Sequence, residues 1–183
     1  MIIGLAGFSR VGKDTAAANM PGFKRFAFAD PLKHDVQPML DYLNVDVNDP
    51  KIKEQIRPLL VAWGAVARSF EPMFWIDRTM ERVMNYVHFH RTEPPVPGVV
   101  RVTGNVVITD VRYLNELDAI KDAGGKCVYI VRPGYGPANN EEERSIEEII
   151  MKRVVPMVLN DGTPEELGAE VLQAVGFIGT AKS

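Results

Sequence analysis

The chain has 183 residues, of which 46% are hydrophobic and 25% charged, and its formal net charge is −3. This length and composition predict one globular domain with a sizeable core, and the small negative charge argues against a surface that coats nucleic acid. The single cysteine, Cys127, excludes an internal disulfide. Because we find neither a signal-peptide pattern nor an apolar run long enough to span a bilayer, we expect a cytoplasmic protein without a membrane partner.

Short apolar runs alternate with helical patterns along the chain, which predicts an α/β fold whose parallel sheet is covered on both faces. The five predicted strands are Ile2–Ala6, Arg25–Ala29, Val106–Thr109, Cys127–Val131 and Val154–Leu159. The predicted helices are Thr15–Met20, Pro31–Leu43, Pro50–Phe70, Phe74–His90, Leu114–Ala123 and Pro164–Val175.

The first predicted strand leads into a glycine-rich loop and then into a helical run of alanines, which is the context of a phosphate-binding P-loop. Backbone N–H groups and the helix N-terminus attract phosphate there, and Lys13 reaches the β- and γ-phosphates. The alternative is a glycine-rich turn with a solvated lysine. We therefore expect ATP to bind Gly7, Ser9, Arg10, Val11, Gly12, Lys13, Asp14 and Thr15.

An aspartate follows Lys13, where the P-loop pattern has serine or threonine, and Thr15 comes one place later. We expect Asp14 to hold Mg²⁺ directly or through water. The third predicted strand delivers Asp110 at its carboxyl end, which resembles a Walker B element that orients the metal or its water shell. The alternative is that Asp110 caps a helix.

The second predicted strand runs into Asp30 and Pro31, which suit the cap and the first position of a helix. A sharper interpretation places Asp30 and Lys33 at the rim of an acceptor site. Lys33 then contacts an acceptor phosphate, while Asp30 positions reacting groups without abstracting a proton.

The stretch between the second and third predicted strands is mostly helical and longer than a simple crossover needs. Arg57 and Arg68 are eleven residues apart, so they share one helix face if the helix continues through Pro58. The two arginines then clamp an acceptor phosphate while Trp63 or Trp75 stacks on a base. The alternative is solvated arginines and core tryptophans.

Three later loops add polar residues. Arg112 follows the third strand and offers a planar donor fork to phosphate oxygens, whereas Asn115 and Glu116 lie in the first turn of the next helix and suit its cap.

Arg132 follows the fourth strand and either neutralises charge on the moving phosphoryl group or is a surface arginine. Residues 133–147, rich in Gly, Pro, Asn and Glu, predict a mobile lid, with an ordinary surface loop as the alternative.

The loop after the fifth predicted strand reads Asn160-Asp161-Gly162-Thr163. We expect Asn160 and Gly162 to lie beside the P-loop, where the donor nucleotide rests. Thr163 also suits a capping box with Glu166. The three histidines are scattered and form no metal-ligand pattern with cysteine, so we predict no zinc site.

Taken together, these segments resemble the bacteriophage-type deoxynucleoside monophosphate kinases, a P-loop kinase family. The resemblance covers almost the whole chain in the expected order, but residues 143–147 depart from a His-x-Ser-Glu-like string that the family tends to show near its lid. The matching segments are Gly7–Thr15, Phe28–Lys33, Trp63-Gly64-x-x-x-Arg68 with Trp75, Thr109–Glu116 and Asn160–Thr163.

The resemblance implies transfer of the γ-phosphate of ATP to a deoxynucleoside monophosphate with Mg²⁺, in the host-cell cytoplasm if the gene belongs to a phage. It implies a single domain over residues 1–183 with a three-layer P-loop NTPase fold, a five-stranded parallel sheet, a helical acceptor region at 34–104 and a small lid at 133–147. It also makes a homodimer an expectation.

The residue expectations fall into three groups. The catalytic residues are Lys13, Asp30, Arg112 and Arg132. The acceptor residues are Asp30, Lys33, Arg57, Trp63, Arg68, Trp75, Asp110, Arg112 and Asn115. The metal residues are Asp14, Thr15 and Asp110.

Two other functions fit the same motifs. One is another small-molecule P-loop kinase, similar to a dephospho-coenzyme A kinase or a phosphomevalonate kinase. The other is a nucleotide-binding switch, which binds ATP without releasing ADP in response to an acceptor. None of these hypotheses includes a nucleic-acid polymer as a partner.

Overall fold

A computed structural model describes residues 1–92, 104–137 and 155–178, the side chains of residues 91 and 92 excepted. Its strands are β1 (Ile2–Ala6), β2 (Phe23–Phe26), β3 (Asn105–Val111), β4 (Lys126–Val131) and β5 (Met157–Leu159). Its helices are α1 (Lys13–Ala18), α2 (Ala29–Asp41), α3 (Lys53–Phe70), α4 (Phe74–Thr92), α5 (Leu114–Asp122) and α6 (Pro164–Ala174). The predicted lid from residue 138 onward, including Arg144, lies outside the described residues, as do 93–103 of the predicted acceptor region.

The sheet of the described residues is parallel throughout, with the strand order β2-β3-β1-β4-β5. Helices α1 and α6 pack together, as do α4 and α5, and the right-handed rule for parallel crossovers puts the two pairs on opposite faces of the sheet. The central strands read as continuous apolar runs because both of their faces are covered; Ile3, Leu5 and Ile130 are fully buried. The predicted three-layer α/β fold with a five-stranded parallel sheet is therefore confirmed.

The helical stretch between β2 and β3 has a small core of its own. This second cluster is separate from the core around the sheet and lies where α2, α3 and the start of α4 meet. Its buried members are Leu32, Val36, Leu40, Val47, Ile56 and Trp75. No helix of the described ranges is both long enough and apolar enough to span a bilayer.

The second strand was predicted at Arg25–Ala29, and this boundary is wrong, because β2 spans Phe23–Phe26 and α2 begins at Ala29. The backbone N–H groups of Phe28 and Ala29 donate to the Asp110 carboxylate at 2.7 and 3.0 Å. These two residues therefore turn away from the sheet instead of extending the strand.

The predicted start of α2 is wrong for the same reason. Asp30 was expected to precede the helix, but α2 begins at Ala29, so Asp30 is its second residue. Its carboxylate instead accepts the backbone N–H of Ala27 at 2.9 Å from within the first turn. The cap is thus provided from inside the helix, and Pro31 occupies the third helical position instead of the first.

Candidate active site

The loop between β1 and α1 has the backbone conformation that phosphate binding requires. Gly7 has a φ of +141° and Gly12 a φ of +101°, values that residues with a Cβ rarely adopt. A Cβ on Gly7 would lie 2.5 Å from the carbonyl oxygen of Ile130, so strand β4 leaves no room for a side chain there. The glycines of the sequence motif therefore occupy positive-φ positions of the kind that a phosphate-binding loop uses.

Lys13, the first residue of α1, is held inside this loop. Its Nζ donates to the carbonyl oxygens of Gly7 and Phe8, both at 2.7 Å. An ammonium group fixed at the mouth of the loop is where the β- and γ-phosphates of a nucleotide are expected. This placement favours the phosphate-binding interpretation over a solvated lysine.

Two other loops reach the P-loop from the strands on its far side. The Asn160 side chain, after β5, donates to the carbonyl oxygen of Val11 at 2.8 Å. The Arg132 guanidinium, directly after β4, lies 3.5 Å from the carbonyl oxygen of Arg10 and 4.9 Å from the centre of the Tyr135 ring. Both residues therefore lie on the predicted donor side, as the carboxyl ends of neighbouring strands require.

The loop that carries Gly162 is shaped by its own helix cap. Glu166 accepts the backbone N–H of Thr163 at 2.7 Å, and the Thr163 hydroxyl accepts that of Glu166 at 3.2 Å. The predicted capping box is confirmed. A Cβ on Gly162 would collide with the Glu166 carboxylate, so this glycine is explained by the cap itself.

Arg25, which the sequence analysis did not single out, links two predicted site residues. Its Nε is 3.6 Å from Asp14 Oδ1, and its Nη1 is 3.0 and 3.2 Å from the two oxygens of Asp30. Burial lowers the pKa of Arg25, but Asp30, Asp14 and Asp110 together raise it above its ordinary value. A permanently charged guanidinium therefore joins the first turns of α1 and α2.

The predicted magnesium site has few candidate ligands among the described residues. Asp14 is 80% exposed beside the loop, and the Thr15 side chain is also exposed. Across the described ranges, no three histidine, cysteine or acidic side chains converge as a metal cluster. Because Mg²⁺ is commonly held by one or two carboxylates with phosphate oxygens and water, Asp14 fits a metal that arrives with the nucleotide.

Asp110 lies within β3 instead of after it, and its two oxygens accept the N–H groups of Phe28 and Ala29. These bonds satisfy backbone donors at the start of α2, which the helix itself leaves unpaired. Burial raises the pKa of Asp110, while the two N–H bonds and the charge of Arg112 oppose that rise. The helix-cap alternative therefore describes Asp110, although the capped helix is α2 and not the helix that follows β3, and its metal role stays a prediction.

The turn between β3 and α5 is fixed by a buried carboxylate. Glu116 Oε2 accepts the backbone N–H of Arg112 at 2.6 Å and that of Tyr113 at 3.0 Å. Burial, followed by the nearby charge of Asp110, raises the pKa of Glu116 to about 8, although both N–H bonds oppose the rise. The predicted cap at the start of α5 is confirmed.

Helix α3 reaches this turn. The Arg68 guanidinium carbon lies 5.3 Å from the centre of the Tyr113 ring, within cation–π distance. Asn115 Nδ2 donates to the carbonyl oxygen of Pro72 at 3.4 Å, next to the end of α3. The structure thus brings Arg68 and Asn115 to the turn that contains Arg112, and it adds Tyr113, which the sequence did not single out.

Arg57 and Arg68 share a face of α3, because the helix runs without interruption through Pro58. Trp63 does not share that face, since six residues place it about 120° around the helix from Arg57. Its side chain is 42% exposed on the outer surface. The two arginines therefore share the predicted face, and a stacking role for Trp63 stays a prediction.

Trp75 belongs to the second core cluster. Its side chain is 4% exposed, and its indole N–H donates to the carbonyl oxygen of Gly64 at 3.2 Å. Such a ring has no free face on which a base stacks, so the packing alternative describes Trp75 and the stacking role is a correction.

This assignment predicts a loss of stability. Trp75→Ala is expected to lower the free energy of unfolding by about 3–5 kcal/mol, measured in urea, because it leaves a cavity in the small cluster. Trp63→Ala is the matched control and is expected to change it by less than about 1 kcal/mol, because Trp63 is exposed. Equal losses in the two variants would contradict the assignment.

Asp30 and Lys33 line a cavity of about 290 Å³ between α2, α4 and the loop after α2. Lys33 Nζ donates to Asn48 Oδ1 at 3.2 Å, and Arg82 of α4 adds a second cation to the same wall. The cavity therefore groups Asp30 with Lys33 as expected. Arg57 and Arg68 do not line it, so the predicted acceptor residues fall into two groups.

No protein-family model matches the chain. A curated relative from Acanthamoeba polyphaga mimivirus, named "Putative deoxynucleotide monophosphate kinase", is 28% identical over 188 residues, which cover 96% of each chain. A second, "Uncharacterized protein ORF77" of Ictalurid herpesvirus 1, is 30% identical over 118 residues, which are 62% of this chain and 45% of that protein.

Two solved structures are also similar. A shikimate kinase from Aquifex aeolicus is 17% identical, with a TM-score of 0.49 and coverage of 95% of both chains. A sugar kinase from Janibacter is 14% identical, with a TM-score of 0.38 and coverage of 93% of this chain and 91% of the other. Because both TM-scores are below 0.5, the fold assignment rests on the strand order and P-loop of this chain.

Proposed function

We propose that this protein is a P-loop kinase that transfers the γ-phosphate of ATP to a deoxynucleoside monophosphate, giving ADP and a deoxynucleoside diphosphate. One observation carries the proposal. Ala6 of β1 pairs with Val111 of β3, so the P-loop and Arg112 leave neighbouring strands side by side at one edge of the sheet. Adjacent parallel strands are about 5 Å apart, so donor and acceptor phosphates held there face each other closely.

The donor side consists of the P-loop, the loop after β4 and the loop after β5. Lys13 neutralises charge on the β- and γ-phosphates, and the backbone N–H groups of the loop hold their oxygens. Arg132, beside Arg10, adds positive charge where the phosphoryl group moves. Asn160, bonded to Val11, keeps the last loop against the P-loop.

The acceptor side is the group formed by Arg68, Tyr113, Arg112 and Asn115. The Arg68 guanidinium over the Tyr113 ring and the guanidinium of the preceding residue, Arg112, suit a phosphate monoester, which carries up to two negative charges and several acceptor oxygens. Asp30, held by Arg25, positions the first turn of α2 next to this space. In this proposal, the helical insertion is the acceptor region predicted at 34–104, and Lys33 with Arg82 lines its outer part.

Catalysis in this arrangement comes from positioning and charge stabilisation, since phosphoryl transfer asks little covalent chemistry of the protein. Asp14 is the residue that would hold Mg²⁺, and the ion would supply positive charge to the donor phosphates. Arg25, ion-paired with Asp14 and hydrogen-bonded to Asp30, offsets the carboxylate charge that would otherwise repel an anionic acceptor.

Sequence similarity supports a nucleotide as the acceptor. The mimivirus relative, named "Putative deoxynucleotide monophosphate kinase", matches this chain over 96% of both lengths. The deoxyribose preference, the magnesium requirement, the lid at 133–147, a homodimer and a cytoplasmic location stay predictions.

An acceptor screen tests the function. With Mg²⁺ and ATP, we expect ADP release that depends on a nucleoside monophosphate and is fastest with a deoxynucleotide, measured by a coupled assay across all common deoxy- and ribonucleoside monophosphates. Dephospho-coenzyme A and phosphomevalonate are the matched comparison acceptors. ADP release with either of those alone would reassign the substrate, and ATP binding without acceptor-dependent ADP would contradict an enzyme.

A further inference from the structure

Glu116 does more than a helix cap requires. Its side chain is 7% exposed, and one of its oxygens receives two consecutive backbone N–H groups, those of Arg112 and Tyr113, at 2.6 and 3.0 Å. The chain offers a direct comparison in Glu166 of α6, which caps Thr163 from an exposed position. Because a buried carboxylate costs more than an exposed one, capping alone does not explain the burial of Glu116.

Two consecutive N–H groups on one oxygen fix the backbone on both sides of Arg112. The direction in which the Arg112 side chain leaves the turn is therefore set by Glu116. The second bond fixes the backbone of Tyr113, and Arg68 lies over the ring of that residue at 5.3 Å. One carboxylate thus holds the turn that contains Arg112 and the tyrosine that Arg68 covers.

The turn is also tied to the helical insertion from its other end. Asn115 Oδ1 accepts the backbone N–H of Glu116 at 3.1 Å, and Asn115 Nδ2 donates to the carbonyl oxygen of Pro72. Asn115 therefore links the start of α5 to the junction between α3 and α4. A change at Glu116 is transmitted to the same place from which Arg68 extends.

We propose that Glu116 is a positioning residue of the acceptor-phosphate site, which orients Arg112 directly and Arg68 through the Tyr113 ring. The inference rests on the proposed function and deepens it, because it names the group that preorganises the acceptor side. Glu116 does not touch substrate in this proposal. Its contribution lies in holding the two guanidinium groups in place before a phosphate monoester binds.

The first test compares two glutamate caps. Glu116→Gln keeps the size of the side chain but, above the Glu116 pKa of about 8, loses the charge that strengthens both N–H bonds, so the variants are compared above that pH. We expect it to raise the KM of the acceptor monophosphate about 10-fold and to leave the KM of ATP unchanged. Glu166→Gln, the matched cap on α6, is expected to leave the acceptor KM unchanged even where it lowers the unfolding midpoint.

The second test removes the residue through which Glu116 acts. In an Arg112→Ala background, Glu116→Gln is expected to raise the acceptor KM by much less than it does in the wild type. Arg112 is then absent, and only the effect of Glu116 through Arg68 remains. Glu116→Asp, which keeps the charge but shortens the reach, is expected to fall between wild type and Glu116→Gln. If Glu116→Gln does not fold, the comparison of Glu116→Asp with and without Arg112 decides the same question.

The outcomes separate this inference from the proposed function. An active wild type in which both glutamate variants change the acceptor KM equally makes Glu116 a helix cap alone and overturns the inference. Equal rises with and without Arg112 overturn it as well, and the kinase function still stands. A wild type that releases no ADP with any nucleoside monophosphate overturns the function and this inference together.

Discussion

Replacement of Lys13 by alanine is expected to lower kcat about 100- to 1,000-fold, the range found when one preorganised donor to a developing charge is removed. Lys13 Nζ is fixed by the carbonyl oxygens of Gly7 and Phe8, so its ammonium needs no reorganisation when phosphate arrives. The measurement is steady-state ADP release with saturating ATP and acceptor. The unfolding transition in urea, followed in parallel, is expected to remain cooperative, because the lysine is only partly buried.

Lys121→Ala is the matched control for this variant. Lys121 lies in the last turn of α5, before β4 begins, and therefore at the opposite edge of the sheet from the P-loop. Its loss is expected to leave kcat unchanged. Near-normal turnover in Lys13→Ala would contradict the role of the loop in catalysis.

Arg112→Ala is expected to lower kcat/KM for the acceptor about 10- to 100-fold, which corresponds to the loss of one charged hydrogen-bonding group. The effect is expected in the acceptor parameters, because Arg112 leaves β3 while the nucleotide loop leaves β1. Varying the acceptor at fixed saturating ATP, and then ATP at fixed acceptor, separates the two sides of the site.

Arg112→Lys provides the graded control, because it keeps the positive charge but not the planar fork of donors. We expect it to recover part of the acceptor efficiency lost in Arg112→Ala. A rise confined to the KM of ATP in either variant would place Arg112 on the donor side and contradict the acceptor assignment.

Much of the fold could be predicted because its signals are local. The first strand has the predicted bounds, Ile2–Ala6, since an apolar run followed by a glycine leaves little choice of register. The second strand was misplaced because the N–H group of Phe28 bonds to Asp110, which is 82 residues away. No pattern within a short window contains that partner.

The site shows the same division. Lys13 and its loop follow from spacing alone, whereas Arg25 looked like an ordinary strand residue until α1 and α2 placed Asp14 and Asp30 around it. An arginine at the start of the predicted apolar run, five residues before Asp30, was the signal that was available. A charge within a strand next to a phosphate loop indicates a partner, although the sequence does not say which one.

Aromatic residues were the least predictable part of the site. Trp75 and Tyr113 belong to one residue class, but one is buried in the second cluster and the other supports Arg68 at the site. Their positions depend on how α3 crosses the turn after β3, which is a property of tertiary packing. Composition and spacing carry no information on that crossing.

The central claim is that one edge of the sheet holds a nucleoside triphosphate and a monophosphate at the same time. A crystal structure with a non-hydrolysable ATP analogue, Mg²⁺ and a deoxynucleoside monophosphate tests it most directly. The expected result is polyphosphate density against Lys13 and the loop amides, with the monophosphate against Arg112 and Arg68. Polyphosphate bound elsewhere, with the loop empty, would contradict the account.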